Sequence, residues 1–304
     1  MCGRYVASRG PEELGTLFDV AFRAPEETLE PDWNVAPTKN VWAVLERPLK
    51  APGATSDPVR QLRVLRWGLV PSWAKGPESA AKMINARAET VHEKPSFRRA
   101  FATRRCLVPA DGYYEWHTEP DEFAHEQRGA RKRARKQPYF ITPADGSVMA
   151  MAAIYEFWRD RTLPDDHPRA WWSTCAVLTV EAETEPFAGA EPAPGEGTGA
   201  VPGPRDPDHQ DADHGDTPRA GAAPGAPRSL ADIHPRMPLT IPQDRWAEWL
   251  DPANDDPEAL RELLVPPPPG LMRAYPVSTE VSQVRNNTPE LIEPLAQRTV
   301  ETLF

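Results

Sequence analysis

The chain has 304 residues, 39% of them hydrophobic, enough for one large domain or two ordinary ones with a sizeable core. Its 37 prolines argue that part of it is not packed, and a net charge of -10 speaks, as a whole-chain average, against nucleic acid as a partner unless charge is segregated along the sequence. Three cysteines, Cys2, Cys106 and Cys175, show no CxxC pair and no histidine-rich spacing, and no apolar run has signal-peptide or membrane-span length. The expectation is a cytoplasmic protein without disulfide, metal, cofactor or membrane.

Met1-Cys2-Gly3-Arg4 opens the chain. Removal of Met1 would leave one residue carrying both a thiol and an α-amine, a pair able to attack a carbonyl or to condense with an aldehyde into a five-membered thiazolidine. The alternative is an incidental cysteine at a frayed terminus. Residues 11 to 20 place Leu14, Leu17 and Phe18 at helical spacing behind a proline and two acids, which predicts a short amphipathic helix. Trp33 to Thr38 reads as a rigid loop because Pro37 biases its predecessor away from helix. Residues 41 to 46 and 61 to 71 read as strands across a Pro/Gly/Ser-rich turn.

Gly68 and Pro71 then break strand character in WGLVPSWA, leaving Trp67 and Trp73 either presented by a loop or packed in a core. In Ile84 to Thr90, a solvated helix start accounts for Glu89 and Thr90 and leaves Asn85 and Arg87 open. Residues 96 to 106 set Phe97 and Phe101 four apart with arginines elsewhere, an amphipathic helix with a basic side. Glu115 lies between Tyr114 and Trp116. Facing inward, it is a carboxylate whose charged form burial disfavours, and a candidate proton carrier; facing outward, it is an ordinary surface glutamate.

Residues 128 to 136 hold six basic side chains in nine, a polar insertion or loose loop of about 119–137. Strands resume at 138 to 142, 147 to 158 and 171 to 180, the last two apolar enough to be covered on both faces, with Cys175 an inert core thiol. From 186 to 229, nine prolines and seven acids against three arginines predict a disordered acidic insertion. His234 follows in HPRMP, where flanking prolines make a stiff loop. A strand at 239 to 241, a helix PQDRWAEWLD, a helix at 257 to 264, a strand at 271 to 278 and a short helix from Pro289 close the chain.

MCGRY, WNVAPT, RWGLVPSWA, INARAET, GYYEW, HPRMP and YPVS…VRNNTPELI, in that order, resemble the SRAP family, the SOS-response-associated peptidases, over residues 2 to about 295. The resemblance implies an α+β fold, a mixed, mostly antiparallel barrel-like β core with peripheral helices in a single domain, 2–304. It implies a protein, expected to be monomeric, that shields abasic sites in single-stranded DNA through a thiazolidine crosslink at Cys2. Asn85 would position the cysteine and sugar, Glu115 would act as general acid/base, and His234 would assist protonation of the sugar ring oxygen. Arg4, Arg87 and Arg236 would grip phosphates and Trp67 would stack near the lesion. Two other readings stay open: an N-terminal-nucleophile hydrolase acting on peptides in trans, and a noncovalent reader of single-stranded or modified DNA.

Overall fold

The structure is a computed structural model and describes residues 2–49, 55–118, 135–188 and 226–295. In chain order the strands are β1 (Tyr5–Ala7), β2 (Phe22–Arg23), β3 (Asp32–Val35), β4 (Asn40–Pro48), β5 (Pro58–Trp67), β6 (Asn85–Arg87), β7 (Arg105–Ala110), β8 (Gly112–Thr118), β9 (Lys136–Pro143), β10 (Met149–Arg159), β11 (Trp171–Glu181), β12 (Arg236–Pro238) and β13 (Met272–Pro276). The helices between them are α1 (Pro11–Leu17), α2 (Arg98–Thr103), α3 (Leu230–Ile233), α4 (Trp246–Leu250) and α5 (Pro257–Glu262).

Five strands close on themselves. β4 runs antiparallel to β5 and β7, β7 to β10, and β10 to β11. β11 then meets β5 in parallel at Thr174↔Arg66 and Cys175↔Trp67. Both faces of these strands are covered closely: alternation puts Ala153 on one face of β10 and Ala150, Ala152 and, across the pairing, Ala176 on the other, and all four small side chains are buried. Closure also leaves those strands no open edge.

A second, antiparallel sheet in the order β13-β9-β8-β1-β3 leans on the barrel. β7 passes directly into β8 at Gly112, where an added Cβ would sit 2.5 Å from the Ile141 carbonyl oxygen, so only glycine fits the crossing. The strands predicted from alternation and β-branching therefore form the core. Three shorter expectations change. Trp33 to Val35 is strand β3 rather than loop, paired with β1. Asn85 to Arg87 is strand β6, and the helical turn expected there is a 3-10 turn at Ala88–Thr90. HPRMP is half strand, because Arg236 to Pro238 pairs with β11.

The basic helix is shorter than its sequence pattern, and Arg105 is not on its solvated side. That guanidinium is buried at the start of β7, donating to the carbonyls of Phe101, Ala102, Trp249, Asp251 and Asn254. The basic insertion falls almost wholly, and the acidic insertion largely, outside the described residues.

Candidate active site

Cys2 is held by β6. That strand lies parallel on the far half of β11, with Val177↔Asn85, Leu178↔Ala86 and Thr179↔Arg87 in register. Alternation sends Ala86 into the core and leaves Asn85 and Arg87 on the other face. The Asn85 side-chain amide donates to the Cys2 carbonyl oxygen at 2.7 Å, fixing the second residue of the chain against the barrel rim. Asn85 Oδ1 is buried and has no hydrogen-bond partner among the described residues. An orphaned acceptor in a site is an unfilled requirement, since an unmade buried hydrogen bond costs about 1–3 kcal/mol.

Glu115 faces inward. It lies on β8 two residues beyond Tyr113, opposite Tyr139, and is 5% exposed. Burial holds its carboxyl above the usual carboxylate range, and the nearby His234 opposes that shift. The Cys2 thiol is fully buried; burial and the Glu115 charge push it well above the ordinary thiol range, against a hydrogen bond from the Arg4 backbone N–H. Carboxyl and thiol therefore each favour holding a proton, and each discourages the other from losing one.

His234 is delivered by α3. Ser229 and Asp232 form a reciprocal capping box at the start of that short helix, and His234 is the residue that ends it. Its Nδ1 lies 3.0 Å from the Arg236 backbone nitrogen and 3.9 Å from Glu115 Oε1. The same ring nitrogen lies 3.1 Å from the Arg236 carbonyl oxygen, so the Arg236 backbone holds the ring in either tautomer. So the histidine has a structural hydrogen bond on one nitrogen and a carboxylate neighbour as well.

The three expected phosphate-binding arginines fare differently. Arg87 is exposed and makes no ion pair among the described residues. Arg4 is half-buried: its Nη1 donates to Asn34 Oδ1 at 2.7 Å and to the Val281 carbonyl at 2.8 Å, and its guanidinium lies 5.8 Å from the centre of the Trp116 ring. Arg236 is taken up by Glu89, with Nη1 and Nη2 meeting the two carboxylate oxygens at 2.7 and 2.9 Å, and it also donates to the Thr179 carbonyl. As built, Arg236 is a staple between HPRMP and INARAET rather than a hand open to phosphate.

Trp67 also departs from its expected role. It is 1% exposed, packs edge-on to Tyr5 at 5.2 Å and donates from Nε1 to the Ile84 carbonyl at 2.9 Å. A ring so enclosed supports the approach to β6 and cannot stack on a base. The turn just after it needs Gly68, at φ +131°, where any Cβ would approach the Ala80 carbonyl oxygen to 2.7 Å. That turn puts Trp73, 66% exposed, on the surface instead.

Two further residues escape sequence reasoning. Asn34 is buried on β3, where its amide donates to the carbonyls of Val281, Gln283 and Asn286, tying WNVAPT to the VRNNTPELI turn. Glu89 looks like a surface acid until Arg236 arrives from 147 positions away. Among the described residues no cluster of His, Cys, Asp or Glu could hold a metal ion, and no helix is long and apolar enough to cross a membrane.

A small closed barrel draws the second residue of this chain under an asparagine amide, beside a buried glutamate and a histidine, and that arrangement defines the candidate site. The sequence profile described as SOS response associated peptidase (SRAP) matches residues 1–187 and 223–284, and the chain belongs to that family. It is 32% identical over 294 residues to the abasic site processing protein YoqW of Bacillus subtilis, covering 96% of this chain and 99% of that one. It is 29% identical to the abasic site processing protein HMCES of Gallus gallus, over 97% of this chain and 78% of the relative. A solved structure from Bacteroides thetaiotaomicron superposes with a TM-score of 0.63 at 20% identity, covering 97% of this chain and all of that one, and shares the fold.

Proposed function

We propose that this protein processes abasic sites in single-stranded DNA, capturing the ring-opened deoxyribose through the α-amine and thiol of Cys2 once Met1 has been removed. The observation that carries this reading is the 2.7 Å bond from Asn85 to the Cys2 carbonyl, which holds the aminothiol residue beside Glu115. The relatives named for abasic site processing support the choice of substrate.

The chemistry balances with one proton in circulation. The neutral amine adds to the sugar aldehyde, and the resulting hydroxyl leaves as water when a protonated Glu115 supplies its proton. The thiol then adds to the imine carbon and closes the five-membered ring, returning its proton to the Glu115 carboxylate. Net, one water is lost and no oxidant or metal takes part. The raised Glu115 carboxyl suits both halves of this cycle. His234 is the donor for opening the sugar ring, and Asn85 Oδ1 is the acceptor left for a sugar hydroxyl. Arg87 meets phosphate. Trp73 replaces Trp67 as the stacking ring, and Arg236 serves by positioning His234.

Intact mass spectrometry tests the scheme. The purified protein should lack the Met1 mass, and with an abasic single-stranded oligonucleotide it should give a denaturation-resistant adduct equal to the summed masses less one water. Cys2→Ala should give no adduct. Peptide hydrolysis in trans without any DNA adduct would replace this reading with a hydrolase, and DNA protection unchanged in Cys2→Ala would replace it with a noncovalent reader.

A further inference from the structure

The outer wall of the barrel at the start of β11 carries a feature that the capture chemistry does not use. Trp171 is 58% exposed and stands between two open hollows of about 730 and 650 Å³ that share it and Ser173. Arginines stack on the aromatic rings around it: Arg66 lies 5.0 Å over Trp172 and Arg47 lies 5.0 Å over Phe157. The local acids are already engaged. Glu27 is bound by Arg63 at 2.7 Å and by the Val64 N–H at 2.7 Å, and Asp160 accepts from Thr162 at 2.6 Å. Arg47, Arg66 and Arg169 consequently have no carboxylate partner among the described residues, and Arg66 Nε is buried without a hydrogen bond.

This wall is tied to the loop that leads from β5 into β6. The loop that carries Trp73 is pinned to it, because the Trp158 indole donates to the Ala74 carbonyl at 2.7 Å and packs edge-on against Trp172 at 5.9 Å. Along β11, Trp171 is six residues from Val177, the partner of Asn85, a distance of roughly 20 Å at strand spacing. A chain of several nucleotides spans that length.

We propose that this wall is a second contact for single-stranded DNA, taking unmodified nucleotides that flank the captured lesion: a base stacks on Trp171, and the unpaired arginines meet phosphates. Cationic side chains interleaved with an exposed aromatic face are what a single strand requires, since every base has a face to stack and every linkage a charge. The inference builds on the single-stranded DNA reading above and extends it from the lesion to its flank.

Fluorescence anisotropy on the full chain carrying Cys2→Ala, which blocks covalent capture, separates the two. The probes are an undamaged oligonucleotide just long enough to cover the site and a longer one that reaches the wall. Trp171→Ala should weaken binding of the long probe by about tenfold and leave the short one unchanged. Trp171→Phe, keeping a ring, should restore most of the loss. Arg169→Ala, at an exposed position, should make the salt dependence of the long probe shallower by about one. With Cys2 intact, adduct formation on a short abasic oligonucleotide should proceed in Trp171→Ala as in the parent. Equal long-probe affinity in parent and Trp171→Ala overturns the proposal, as does an equal loss for both probes. A parent protein that binds neither probe and forms no adduct brings down the functional reading itself.

Discussion

β6 and β12 flank the same end of β11, and each contributes an arginine from a sequence motif, yet the two arginines are in opposite states. Arg87 on β6 is exposed with no ion pair among the described residues, whereas Arg236 on β12 is clamped by both oxygens of Glu89 and by the Thr179 carbonyl. Glu89 is only two residues from Arg87 but reaches across to the other motif. A guanidinium with a fixed bidentate carboxylate locks geometry, while one without such a partner offers its charge to whatever approaches. The same residue type is thus a fixed staple on one side and an exposed charge on the other.

Arg236→Ala should be the most damaging change, because it strands Glu89 and the Thr179 carbonyl and loosens the strand whose N–H orients His234. The expected loss is about 1–3 kcal/mol in urea unfolding, together with slower adduct formation. Glu89→Gln keeps the shape and removes the charge. Because Glu89 is half exposed, the expected cost is nearer 1 kcal/mol, with adduct formation slowed at saturating DNA while noncovalent affinity holds. A rise in affinity in Glu89→Gln, matched by a fall in Arg236→Ala, would show that Arg236 binds DNA after all.

Glu115→Gln probes the carboxylate that His234 faces. The folded carboxyl is raised above its unfolded value, so the folded state holds that proton more firmly. Wild-type stability should therefore fall as pH rises from the unfolded carboxyl range through the folded value. The glutamine variant lacks this term, so its thermal midpoint should exceed wild type near neutral pH and converge with it in acid. A gap that widens in acid would place a stabilising ion pair there instead. Arg87→Ala should be the mildest: stability within about 0.5 kcal/mol, with the salt slope of DNA binding reduced by about one. An unchanged slope removes Arg87 from the phosphate contacts.

The large elements were legible because their patterns are local. Apolar runs at 147 to 158 and 171 to 180 become β10 and β11, and the proline-led amphipathic stretch becomes α1, since burial on both faces or on one stripe writes itself into residue order. Short strands were not legible. β6 and β12 have three residues each and exist through pairing with β11, so nothing in INARAET or HPRMP alone distinguishes them from a helix start or a loop.

For the site, residue order determined the cast: a cysteine at position 2, and an asparagine, a glutamate and a histidine in the family's succession. Only the tertiary structure decided their states. Whether Glu115 faced a core or water, whether Trp67 or Trp73 was the surface ring, and whether Arg236 was open or clamped all depended on contacts between segments far apart in sequence. Burial and charge pairing are properties of neighbours in space. A chain specifies those neighbours only through the fold it adopts, which is why the residues could be named from sequence while their roles had to wait for the barrel to close.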